Sequence, residues 1–182
     1  SLVQCFIASD FSVAVVAANS HTDKPLLYKI SGTWGNHEGS MLLWVLILAG
    51  WSAAVALFSS SLPRDMRARV LSVMGMIAVG FYLFVLFTSN PFARSFPEVP
   101  AEGRDLNPLL QDIGLVLHPP MLYLGYVGFT VPFAFAIAAL VTGRVGEGWL
   151  LATRRWTLIA WGFLTVGIVL GAVASYAVGH FA

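Results

Sequence analysis

His118 has the setting that most suggests chemistry. It stands in Leu117-His118-Pro119-Pro120-Met121, at the start of an apolar run. Proline in a first helical turn costs little, because that N–H has no intrahelical partner anyway. The two prolines therefore predict where a helix begins and hold His118 at its outer end. A neutral imidazole near a membrane boundary can ligate haem iron through one ring nitrogen. The alternative is an N-cap or interfacial histidine bonded to backbone or water. No second histidine is clearly placed to complete a bis-histidine site.

Trp34, His37 and Glu38 form a second group, in Thr33-Trp34-Gly35-Asn36-His37-Glu38-Gly39-Ser40. Together at an interface they could bind a cofactor edge or relay protons. They could equally be an interfacial tryptophan with a capping cluster, in which Ser40 caps the next helix and Glu38 favours its positive end. A third group lies between Ser89 and Asp112. Arg94 and Arg104 could grip the carboxylates of a ligand bidentately. The charge pattern favours local pairing instead, with Glu102, Asp105 or Asp112. His21 and His180 have no supporting neighbours and read as solvated.

Several chemistries are missing. No phosphate-binding or dinucleotide-binding glycine motif, zinc-protease motif or nucleophile elbow occurs. The single cysteine, Cys5, has no disulfide partner in the chain and no metal-ligand companions. No CxxCH is present, so the chain carries no covalent c-type haem of its own.

The elements that must position these residues are membrane helices. Of 182 residues, 58% are hydrophobic and 10% charged, with mean hydropathy +0.79. A soluble domain carries about 25% charged residues; a bilayer removes the need for that polar surface. Four apolar runs, at about 40–60, 70–88, 119–141 and 156–178, each approach the roughly 20 residues needed to cross hydrocarbon as a helix. The reading is all-α, a polytopic transmembrane helix bundle forming one membrane domain over 1–182. The apolar stretch 2–18 is shorter and contains Asp10, so it reads as a partial helix or an extended segment. Pro132 is expected to kink its span. Gly167 and Gly171 form a GxxxG that either permits close helix packing or reflects ordinary membrane glycine usage. Charges within the four spans are absent, which weighs against an ion or proton pump.

Arginines orient the bundle. The short links Leu62–Arg69 and Thr142–Arg155 carry Arg64, Arg67, Arg69, Arg144, Arg154 and Arg155. The longer loops 19–39 and 89–118 hold only Lys24, Lys29, Arg94 and Arg104. The positive-inside rule predicts cytoplasmic short links and periplasmic long loops. All the candidate residues then fall toward the outer face. The net charge of +1 gives no signal for nucleic acid. The chain begins at Ser1 within an apolar run, without an initiator Met or signal-peptide n-region, and reads as a piece of something longer.

Four blocks, in order, are similar to a known family. Residues 33–44 resemble the WGxHEGSxLLW block of the CcmF-type subunits of the bacterial cytochrome c haem lyase. Phe87-Thr88-Ser89-Asn90-Pro91-Phe92 resembles their FTSNPF block, and residues 102–112 their EGRDLNPLLQD block. Residues 117–129 resemble their HPPxLYxGYVGF block. The likeness runs from about Phe6 to about Gly171.

The resemblance implies a part in cytochrome c maturation at the bacterial inner membrane, or the mitochondrial one, with a periplasmic functional face. Haem would come from a CcmE-type chaperone and be joined to apocytochrome c CxxCH thiols, with CcmH-type and CcmI-type partners. It further implies haem b as an electron relay, with His118 as one axial ligand of its iron. Trp34, His37, Glu38, Arg104 and Asp105 would shape the outer face beside the haem or its partners. The family's tryptophan-rich outer loop and second transmembrane haem ligand lie beyond Ala182, so the segment alone is expected to be inactive. The alternatives are a haem- or quinone-binding anchor of a respiratory complex, and a haem transporter.

Overall fold

The computed structural model describes residues 1–95, 97–105, 111–143 and 146–181, without the side chains of Leu115 and of 177–181. Among them the secondary structure is helical throughout, with one isolated bridge and no strand. The helices are α1 (Leu2–Ile7), α2 (Ala14–Asn19), α3 (Leu26–Gly32), α4 (His37–Phe58), α5 (Arg64–Phe87), α6 (Ile113–Gly128), α7 (Thr130–Thr142) and α8 (Glu147–Phe181). Four stretches are long and apolar enough to cross a membrane: His37–Phe58, Arg64–Phe87, Val116–Thr142 and Glu147–Tyr176. The fold class is the all-α, polytopic one expected from hydropathy.

Two compact units make up the chain. The first joins residues 1–43, 83–119 and 169–182; the second joins 44–82 and 120–168. Both long loops fall in the first unit, and both arginine-rich links fall in the second.

The second unit is packed like a soluble core. Val45, Leu48, Val55, Val70, Met74, Val127, Val131, Phe135 and Ala160 are buried. Trp44 stacks on Phe81 with 3.7 Å between ring centroids. The Trp51 indole N–H donates to the Leu124 carbonyl at 3.1 Å, which satisfies a polar atom amid apolar neighbours. The span over 116–142 is interrupted at Phe129, between α6 and α7. Pro132 accounts for the break: it has no N–H to give the Gly128 carbonyl. Phe129 instead bonds back three residues, to the Tyr126 carbonyl at 3.2 Å.

All four spanning stretches start earlier than expected, α4 at His37 and α6 at Ile113 among them. α5 begins at Arg64, so Arg64, Arg67 and Arg69 ride on its first two turns rather than in a link. Its start is fixed by the Pro63 carbonyl, which accepts from the Arg67 N–H at 3.0 Å. α8 begins at Glu147, so Arg154 and Arg155 lie on the helix. The Arg155 guanidinium reaches the Phe58 carbonyl at the end of α4 and lies 5.0 Å over the Trp156 ring.

The apolar stretch 2–18 is largely helical rather than extended. It folds into α1 and α2, separated by a turn in which Ser9 takes a left-handed φ of 51°. Asp10 then accepts from the Ser12 hydroxyl at 2.5 Å and from the Ser12 N–H at 3.2 Å. This turn aims both short helices at one cluster of Leu2, Phe6, Phe11, Val13, Val15, Val16 and Ala17. Val13 bridges Arg94: the Ala14 N–H donates to the Ala93 carbonyl and the Ser95 N–H to the Ser12 carbonyl, both at 2.9 Å. α3 packs on α1.

Candidate functional site

Trp34, His37, Glu38, Arg104, Asp105 and His118 all belong to the first unit. Three supports hold them: the start of α4, the loop before α6, and α6 itself.

At the start of α4 the cap is Asn36, not Ser40 as expected. The Gly39 N–H donates to Asn36 Oδ1 at 2.7 Å, and the Asn36 amide donates to the Gly32 carbonyl at 2.8 Å. An Asn oxygen on the third helical N–H is the usual N-cap geometry. Ser40 instead donates to the His37 carbonyl at 2.9 Å. Glu38 does lie in the first turn, half-buried, where the helix end favours a negative charge. The chain folds back so tightly here that a Cβ on Gly39 would lie 1.6 Å from the Thr33 carbonyl oxygen. The exposed His37 bonds through Nε2 to the buried Ser89 Oγ at 2.7 Å and sets its ring edge-on to Phe84. Two sequence blocks that are 52 residues apart thus meet in one contact.

The loop before α6 is tied to the residues around α2. The Arg104 N–H donates to the Ala17 carbonyl at 2.7 Å. Asp105 receives the buried Lys24 ammonium at 2.9 Å, and Lys24 also donates to the Asn19 carbonyl at 3.1 Å. Glu102 accepts from the Thr22 hydroxyl at 2.9 Å and from the Thr22 and Gly103 N–H groups. The Gly103 N–H, then the Thr22 donors, hold the Glu102 carboxyl below its usual range. Arg94 pairs with Asp10 at 3.3 Å rather than with a loop acid. The Ser12 hydroxyl, then its N–H and Arg94, hold the Asp10 carboxyl low too. His21, expected to be solvated, lies 3.9 Å from Glu102. Arg104 is exposed and makes no ion pair among the described residues. It borders a cavity of about 350 Å³ lined by Ala14, Ala17, Ala18, Pro100 and Glu102. Leu106–Leu110 of the same block lie outside the described residues, as does the His180 side chain.

The third support corrects the reading of the prolines. α6 starts at Ile113, so Pro119 and Pro120 sit in its second turn and do not set its beginning. Asp112 sets it, since its Oδ1 accepts the Gly114 N–H at 2.6 Å. His118 is half-buried, with its ring against Gly171 of α8. In the second unit, Gly167 lies equally close to the backbone of Leu122. The GxxxG is therefore a packing feature.

Sequence reasoning missed Asn36, Lys24, Glu102 and Ser89. Asn36 was detectable as an N-cap residue three positions before Gly39. The others depend on partners about 50 to 80 residues away, which local spacing does not reveal. Among the described residues no group of three or more His, Cys, Asp or Glu could hold a metal ion.

Comparison with known proteins gives a consistent picture. Residues 34–177 match the family described as Cytochrome C assembly protein. The cytochrome c-type biogenesis protein CcmF of Escherichia coli (strain K12) is 60% identical over 175 residues, covering 96% of this chain and 27% of that protein. The biogenesis protein ccl1 of Rhodobacter capsulatus is 61% identical over 176 residues, 97% of this chain and 27% of that protein. NrfE of Haemophilus influenzae is 50% identical over 175 residues, again 27% of its length. Among solved structures, one titled Cytochrome c Heme Lyase CcmF superposes with TM-score 0.78 at 35% identity, over 96% of this chain and 27% of the other. The chain thus spans about a quarter of the length of these relatives.

Proposed function

Because the chain belongs to the cytochrome c assembly protein family, we propose that it forms part of a cytochrome c haem lyase, holding haem at the outer membrane face for attachment to apocytochrome c. The observation that carries this is the position of His118: second turn of α6, half-buried, in the same unit as both long loops. The donor set suits haem. One imidazole serves the iron, and Arg104, without a carboxylate partner among the described residues, suits a propionate. Trp34, His37 and Glu38 complete the face.

In this reading the haem arrives from a CcmE-type chaperone at the periplasmic face of the inner membrane. CcmH-type and CcmI-type partners present the apocytochrome, and each CxxCH thiol adds its S–H across a haem vinyl group. The chain's own residues orient the iron and the propionates.

Two haems compete for His118: a resident haem b relaying electrons, or the haem in transit.

His118→Ala in the native membrane protein tests the proposal. Cytochrome c formation is expected to fail while the protein stays in the membrane. Loss of haem absorbance without the chaperone identifies a resident haem; retained absorbance with failed uptake from the chaperone identifies the haem in transit. Normal haem content together with normal cytochrome c formation rejects His118 as a ligand.

A further inference from the structure

From the contact between α6 and α8 in the first unit we infer that Gly171 is a positioning residue for His118: its bare Cα is the floor on which the imidazole rests. The inference depends on the reading that His118 ligates haem iron. A methyl group on Gly171 would lie 2.5 Å from His118 Cε1, 2.7 Å from Nδ1 and 3.2 Å from Nε2. Carbon atoms do not approach that closely, so something has to move.

What moves decides the role. At Gly171 the obstructing atoms are the far end of a side chain, which swings about its χ angles at small cost. At Gly167, one turn earlier on α8, a methyl would meet the backbone N and Cα of Leu122 at 2.6 and 2.7 Å. There a whole helix would have to shift. Gly167 therefore sets helix spacing, whereas Gly171 sets the direction of one ring. An iron ligand needs its ring held in a fixed plane, and groups that fix ligand orientation typically change metal affinity about 10–100-fold when altered. The side-chain volume missing at Gly171 is filled by the imidazole itself, so the ring cannot lean toward α8 any further than it does.

The experiment compares Gly171→Ala, Gly167→Ala and His118→Ala in the native membrane protein. It reads haem bound per protein and the Soret and α-band positions, then repeats the spectra with added free imidazole. Gly171→Ala is expected to shift the bands and weaken haem retention by about tenfold or more, with imidazole restoring the spectrum because an intact site has merely lost its ligand. Gly167→Ala is expected to lower thermal stability with wild-type band positions. An unchanged spectrum in Gly171→Ala overturns the inference, as does an equal spectral change in Gly167→Ala, or a Gly171→Ala defect that imidazole does not restore. His118→Ala separates the two claims: if it leaves haem content, haem uptake from the chaperone and cytochrome c formation all untouched, the ligand reading itself has failed.

Discussion

Gly39→Ala is the sharpest test of how the outer face is built. The added methyl would sit 1.6 Å from the Thr33 carbonyl oxygen, 2.8 Å from its carbon and 3.0 Å from Asn36 Oδ1. Two of these are backbone atoms, and the third is the cap of α4. Relief therefore means moving the 33–36 turn off the helix start, which breaks the Gly39 N–H bond to Asn36. Loss of an Asn cap costs about 1 kcal/mol, and forcing a methyl into closed space about 1–3 kcal/mol. Alanine returns up to about 1 kcal/mol of helix propensity. The net is a loss of about 1–3 kcal/mol. For a protein of this size each kcal/mol is worth roughly 2–4 °C, so the melting midpoint should fall by roughly 2–12 °C. Thermal unfolding in detergent, followed by circular dichroism, measures it. Gly50→Ala is the control: it lies on the same helix with nothing within 4 Å of its Cβ, and should hold or raise the midpoint. A Gly39→Ala protein melting with the Gly50→Ala protein would refute the closed turn.

Other consequences are open to measurement. Arg155→Ala should free the Phe58 carbonyl and fray the end of α4, at a cost of about 0.5–1 kcal/mol; unchanged amide exchange over residues 55–59 would rule that out. Acid should loosen the ties around residues 19–24 and 102–105. Glu102 and Asp10 have folded-state pKa values below their ordinary 4.5 and 3.8. Their stabilisation is therefore complete above those values and is lost as pH falls through the lower folded ones. Hydrogen-exchange protection in this region, corrected for the intrinsic exchange rate, should hold down to about pH 5 and fall at more acidic pH, and Glu102→Gln should flatten that fall; a fall confined to neutral pH would point to another group.

The spans were legible because hydrocarbon thickness dictates their length, and the composition left no soluble option. Their ends were less so. Hydropathy marks where lipid stops, but Arg64 to Arg69 and Arg154 to Arg155 continue the helix beyond that point, their charged heads free to leave the apolar layer. The extended reading of the stretch 2–18 failed for a different reason. Its partners are Arg94 and the segment around it, and no periodicity within seventeen residues can announce a bridge some eighty residues away. The family blocks were legible by their order. The start of α6 was not, because the Asp112 side chain outweighed the two prolines as a start signal. Lys24 looked like a loop lysine; only the fold reveals that its ammonium is buried against Asp105.

The bridge between Val13 and Arg94 also constrains how the protein is made. Residues 1–19 are synthesised before the groups that bond to them, Ala93 to Ser95 and Arg104, which follow α4 and α5. Until α5 and the loop after it have been made, the Ser12 to Ala14 edge of the cluster lacks its partner, although α3 already packs on α1. Long-range closures of this kind come late and leave sticky intermediates waiting. Closure of this edge thus waits on α5, and a stall there would expose residues 12–19 to proteases while the later helices were still assembling.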